Sequence, residues 1–175
     1  MIIAPPATTD YGFYNNYVFK VTDKDLITAL TETLADIKVF VAGLTEDELN
    51  LRYDTGKWSI KEILLHLADS ERTFCYRILR ISRNDKSPLP GFDPHDFIMN
   101  AHAGTRSING IMRELELLRK ATIILYEEMH PEMLERTGPA RDITMSVRAL
   151  GFAIVGHVIH HINILNERYL PMIKK

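Results

Sequence analysis

The run His157-Val-Ile-His160-His161 places two imidazoles, those of His157 and His161, four residues apart. On a helix this spacing stacks them one turn above the other on a single face, where both can reach one ion. His160 projects about 100° away from His161 and stands outside that arrangement. A firm divalent site needs a third ligand, and His66 offers it from the apolar run Ile63-Leu-Leu-His66-Leu. Alone in that context, His66 would read as a core histidine bonded to a backbone carbonyl. The pair at 157 and 161 turns the reading toward metal. Three neutral imidazoles suit Zn²⁺, Ni²⁺ or a similar ion and leave at least one coordination position open, as a catalytic centre requires. Cys75, nine residues beyond His66, is half a turn out of phase and reads as a small buried hydrophobe. His95, His102 and His130 lie in or beside loops without partner spacing and read as surface residues.

Elements that could bring these side chains together follow from periodicity and punctuation. Leu26, Ile27, Leu30, Leu34, Ile37 and Val41 recur at spacings of three and four, which predicts a helix over 23–41 with Thr22 or Asp23 as its cap. Thr45 with Glu48, and Ser59 with Glu62, are capping boxes; the first opens a short turn of helix and the second a long helix through 63–81 that ends near Arg83. From 84 to 104, Pro88, Pro90, Gly91 and Pro94 predict a long crossover loop with no helix. A third long helix covers 107–129, and a fourth begins after Thr144 and reaches Tyr169, with Pro171 beyond it. No stretch alternates with period two for long enough to predict a sheet.

The expected fold is therefore an all-α four-helix bundle occupying one domain, 1–175. The long connection between the second and third helices lets the chain cross the bundle, which predicts an up-down-down-up order. The heights agree. His66 lies about 9 Å inside the start of its helix and His161 about 12 Å from the end of its own, so an antiparallel pair brings them level. Glu62, Ser70, Thr73 and Arg77 fall within about 40° of His66, and Arg168 aligns with the histidine pair, so each is a candidate to touch a ligand. Tyr11, Phe13, Tyr14, Tyr17 and Phe19 crowd the segment before the first helix. Aromatics at that density must pack, either as a strap over 1–21 on their own bundle or in a two-fold interface.

Apolar residues make up 46% of the 175 and charged ones 25%, which excludes a disordered or fibrous chain. Lys plus Arg number 21 against 23 Asp plus Glu, so there is no basic excess to neutralise phosphates, and nucleic acid is not an expected partner. The apolar stretch 149–165 is short for a membrane span and is broken by three histidines and an asparagine, so no membrane partner is expected either. With one cysteine and no signal-like N-terminus, the expected location is cytoplasmic.

The run Gly56-Lys-Trp-Ser-Ile-Lys-Glu-Ile-Leu-Leu-His66-Leu-Ala-Asp-Ser-Glu-Arg72, the loop Pro88-Leu-Pro-Gly-Phe-Asp93 and the closing Gly156-His157-Val-Ile-His160-His161-Ile-Asn-Ile-Leu-Asn-Glu-Arg-Tyr-Leu170 resemble the DinB-like (YfiT-type) superfamily of metalloenzymes, as does Tyr14-Asn-Asn-Tyr17. The resemblance implies an up-down-down-up bundle, a metal triad falling here on His66, His157 and His161, and a homodimer. It also implies chemistry on low-molecular-weight thiols such as bacillithiol or mycothiol. The expected function is a small-thiol S-transferase acting on a small electrophile, since a metal ion lowers the pKa of a bound thiol. The alternatives are a hydrolase in which the ion activates water, and a non-catalytic metal-binding stress-response protein.

Overall fold

The computed structural model describes residues 2–7 and 9–173; Met1 and Thr8 of the predicted strap 1–21, and Lys174 and Lys175 at the end of the predicted domain 1–175, lie outside them. Four long helices form the bundle: α2 (Leu26–Val41), α4 (Ile60–Ser82), α6 (Ile108–Glu127) and α8 (Val147–Ile164). Short elements join them: α1 (Asn15–Val18), α3 (Glu46–Leu49), α5 (Pro94–Asn100), α7 (Pro131–Leu134) and a hairpin of β1 (Thr137–Ala140) with β2 (Ile143–Ser146).

Helix starts follow side-chain chemistry. Both capping boxes form, Thr45 with Glu48 and Ser59 with Glu62, each satisfying two donors the helix cannot. The first long helix starts later than the expected residue 23. Asp25, directly before the apolar stripe, accepts from the backbone N–H of Ile27 at 3.1 Å and of Thr28 at 3.4 Å, displacing Thr22 and Asp23 as the cap. The crossover contains a helix where a continuous loop was expected. Asp93 caps α5, accepting from the His95 and Asp96 amides, and Pro94 sits at its first position, where a missing N–H costs nothing. The hairpin is also outside the all-helix expectation. It turns through Arg141–Asp142 with Arg141 at a left-handed φ of 58°. The last helix runs past Tyr169 and Pro171, because a π-turn at Leu165–Tyr169 leads into a final turn, Leu170–Ile173.

Helix directions can be read from contacts. Between α2 and α6, Thr33 meets Arg119 and Lys38 meets Glu116, so the pair is antiparallel. Between α4 and α6, Glu71 meets Arg119 and Cys75 meets Thr122, so that pair is parallel. Between α4 and α8, Trp58 just before α4 stacks near His161 while Phe74 lies by His157, an antiparallel pair. The order is up-down-down-up. Arg119 locks three helices together: it forms a bidentate pair with Glu71 at 2.8 and 2.9 Å and donates to Thr33 Oγ1 and the Leu30 carbonyl. A buried pair of this kind specifies register more than it adds stability.

The segment Val147–Ile173 is long and apolar enough to cross a membrane, but 67% of its most apolar window is buried inside the bundle. Its apolarity is spent on the core. The N-terminal segment packs on the same helix. Ile3, Tyr11, Tyr14 and Val18 are buried, and Ile3 accepts a backbone hydrogen bond from Leu26 at 2.9 Å. Gly156 makes the approach possible, since a Cβ there would lie 1.9 Å from the Tyr17 carbonyl oxygen.

Candidate metal centre

On α4, His66, Ser70, Thr73 and Arg77 follow one another at spacings of four, three and four and so form one stripe along the helix. On α8, His157 and His161 share a face. The two faces meet. His157 Nε2 lies 3.1 Å from His66 Nε2 and 3.1 Å from His161 Nε2, and a ligand atom of each of the three lies within 4.8 Å of the others. Tetrahedral coordination at Zn–N distances of about 2.0 Å separates two ligand nitrogens by about 3.3 Å, so the donor set fits a single divalent ion. His161 Nδ1 is buried and finds no partner among the described residues. The cluster is unsupported from behind at that atom.

Burial sets the protonation state. It holds His66 down to about 4 and His161 down to about 3, with neighbouring histidines adding a smaller push in the same direction. His157 lies well below the ordinary imidazole range for the same reasons. All three are neutral near pH 7, the form that ligates a metal.

These shifts predict an acid sensitivity of the metal-stripped protein. The unfolded chain takes up protons near pH 6.5, whereas the folded chain refuses them until about pH 4 or below, so the unfolded state binds more protons in between. Stability is complete above about pH 6.5 and falls as the pH drops from there toward 4. The thermal midpoint of metal-free protein will decline between pH 6.5 and 5, above the range of ordinary carboxylates, and His66→Gln will flatten that slope. An equal slope in both proteins would contradict the assignment.

The nitrogens open into a cavity of about 290 Å³. Trp58 packs against His66 with ring centroids 4.8 Å apart, Tyr17 against His157 at 5.2 Å, and Phe74 continues the wall. Of the residues predicted to share the site, Ser70, Thr73 and Arg77 line this cavity. Glu62 does not: its carboxylate closes the capping box and pairs with Arg52. Arg168 does not either, being exposed within the π-turn, whose wider winding spoils the helical phase that aligned it with the histidines. His160 lines the cavity but is not one of the three clustered donors. Cys75 faces α6, where it hydrogen bonds to Thr122 Oγ1, and burial pushes its thiol up to about 11. His95, His102 and His130 are exposed.

Of the strap aromatics, Phe13, Tyr14 and Tyr17 line the cavity, as expected of a strap that closes the bundle near the metal, whereas sequence reasoning did not place Trp58, Phe92 or Arg141 at the site. Only the Trp-Ser pair before α4 carried a usable signal, since a residue preceding an N-cap packs back on its helix. Phe92 and Arg141 come from the crossover and the hairpin, which reach the cavity through tertiary docking alone.

Comparisons with known proteins agree with the architecture. A protein of Geobacillus thermodenitrificans named "Putative metal-dependent hydrolase" is 29% identical over 112 residues, spanning 63% of this chain and 63% of its own length. One of Oceanobacillus iheyensis with a similar name is 25% identical over 126 residues, 67% of this chain and 72% of that one. Among solved structures, YfiT from Bacillus subtilis, described as "a probable metal-dependent hydrolase with an unusual four-helix bundle topology", superposes with a TM-score of 0.78 at 19% identity over 96% of this chain and 92% of its own. The mycothiol-dependent maleylpyruvate isomerase gives a TM-score of 0.66 at 11% identity over 79% of this chain and 58% of that one. These structures share the fold. Residues 29–165 match the family profile of the DinB superfamily, and the chain belongs to that superfamily.

Proposed function

We propose that this protein is a divalent-metal-dependent enzyme in which His66, His157 and His161 hold one ion, Zn²⁺ or Ni²⁺, and a low-molecular-weight thiol is transferred to a small electrophile. One observation carries the reading: three buried, neutral imidazoles converge at a cavity whose lining, among the described residues, has two arginines and six aromatic side chains but no carboxylate. When bound, the ion lowers the pKa of a thiol at its open position, so thiolate is available near neutral pH. A thiolate needs no carboxylate base to activate it at the moment of attack. In the transfer, sulfur forms the new S–C bond, and the leaving group departs with its electron pair and takes up the proton the thiol released.

The chain's own residues bind, orient and exclude water. Cys75 cannot supply the sulfur, because it faces α6 and its thiol stays protonated. The thiol is a cosubstrate, which suits a reducing, cytoplasmic setting. Trp58, Tyr17 and Phe74 wall the histidines from bulk water, and His160, its pKa lowered mainly by burial, is a neutral proton acceptor at the cavity. The adjoining cavity and the count of three donors both argue against a purely structural ion, which would have a closed shell.

Hydrolysis is the second reading, favoured by the names of the curated relatives. The experiment separates the two. Metal-loaded protein assayed with bacillithiol, mycothiol, glutathione and coenzyme A against a monochlorobimane-type acceptor should turn over at least one thiol, and a chelator should stop it. Activity on esters or amides without added thiol would transfer the assignment to hydrolysis. Silence with every thiol overturns the proposal.

A further inference from the structure

Arg77 is only 4% exposed, lines the cavity, and makes no hydrogen bond or ion pair with any described residue. A guanidinium stays charged at any physiological pH, and taking one out of water without an anion is costly. Every other buried arginine side chain among the described residues is matched: Arg119, the only one more deeply buried, has Glu71. Arg77 therefore holds its charge toward an open space. It sits three turns beyond His66 on the same stripe, about 16 Å along the axis, and helical side chains lean back toward the N-terminus, toward the histidines.

A second arginine, Arg141, lines the same cavity from the hairpin. Arg141, at the tip of the hairpin turn with φ 58°, is exposed, and it too has no ion-pair partner among the described residues. Between the arginines and the histidines the walls are aromatic, with Ser70 and Thr73 as the polar edge.

We infer that the cavity takes an elongated ligand whose oxyanion terminus, carboxylate or phosphate, is clamped by Arg77 and Arg141 while its other end reaches the three histidines. This deepens the proposed function and rests on it only for what happens at the histidine end. The guanidinium fork matches both oxyanions and gains strength where water is excluded. The separation, between about 10 and 16 Å once side-chain lean is allowed for, sets a minimum ligand length.

The test uses metal-loaded protein and a homologous series of straight-chain ω-mercapto acids, from mercaptoacetic to mercaptoundecanoic, beside the matching ω-mercapto alcohols and ω-mercaptoalkyl phosphates. Trp58, the single tryptophan, lies against His66 and reports binding by its fluorescence. Once the chain is long enough to span the cavity, an acid or a phosphate should bind about tenfold or more tightly than the alcohol of equal length. Which of the two gains more identifies the oxyanion. Arg77→Gln should abolish the advantage and Arg77→Lys reduce it, with alcohol affinity and metal content unchanged. Arg141→Asn, at an exposed turn that asparagine tolerates, gives a second reading free of any risk to the core. Equal affinity of acid, phosphate and alcohol at every length, or an advantage that survives Arg77→Gln, overturns the inference. Short neutral thiols that bind while long acids gain nothing would leave the thiol reading standing and remove this one. Thiol-free alkanoic acids that bind through Arg77, with no thiol binding at all, would do the reverse.

Discussion

Replacing His157 with alanine should take the protein from about one divalent ion per chain to a small residue of that amount. His157 is the central donor: its Nε2 stands 3.1 Å from each of the other two, so its loss removes the member that both partners face. The remaining pair, on different helices, would have to hold an ion with two imidazoles, and second positions filled by water do not compensate. Elemental analysis of protein purified without metal-affinity resin makes the measurement. His160→Ala, about 100° around the helix from His161, should retain its metal. The wild type should also lose thermal stability on chelation, by an amount that grows with the ratio of free metal to dissociation constant and reaches about 4 kcal/mol at a thousandfold excess. The alanine variant should not respond to chelator at all. Equal metal in both proteins, or an equal chelator response, would sink the site.

The three histidines could be found in the sequence because each rule that locates them is local or one-dimensional. The i, i+4 pair fixes a face, phase relative to His66 excludes Cys75, and rise per residue sets the heights once the helices are taken as antiparallel. Capping boxes are legible for the same reason, since Thr45 with Glu48 and Ser59 with Glu62 bond reciprocally within one turn. Local competition is where the reading slips. Thr22, Asp23 and Asp25 are all good caps, and only the position of Leu26 in the core decides among them. Three prolines outweighed the Asp93-Pro94 pair that starts α5, although an acidic cap followed by proline is itself a start signal. Two four-residue strands, one of them containing Pro139, fall below the length at which alternation can be seen. Glu62 had the right phase and the wrong assignment because its carboxylate was already committed to the cap. Arg168 failed through the assumption of an unbroken α-helix. What no sequence rule supplied is the cavity itself, because Trp58, Tyr17, Phe92 and Arg141 come from four segments whose meeting depends on the packed bundle.

Gly156→Ala tests the most demanding of those meetings. A methyl group at this position would lie 1.9, 2.5 and 2.7 Å from the oxygen, carbon and Cα of Tyr17, all of them backbone, so no rotamer change can relieve the clash. Either α1 lifts from α8 or α8 shifts, and His157 is the next residue along. Overpacking of this kind costs about 3 kcal/mol or more, a midpoint lower by roughly 6 to 12 °C for a chain of this size. The variant should also open the cavity, since Tyr17 forms the wall beside His157. Deleting residues 1–20 separates the strap from the alternative of a two-fold interface. A strap on its own bundle predicts a large fall in the midpoint with unchanged mass by light scattering, whereas an interface predicts loss of the dimer with the midpoint of the monomer nearly preserved. The combination is sharper than either change alone. With Tyr17 gone, the three nearest obstacles to the methyl group are gone too, and alanine exceeds glycine in helix propensity by about 1 kcal/mol. Gly156→Ala should then become neutral or stabilising in the shortened chain, a reversal of sign that reports direct contact between the two sites. A penalty that persists without the strap would place its cause inside the bundle and remove Tyr17 as the reason for this glycine.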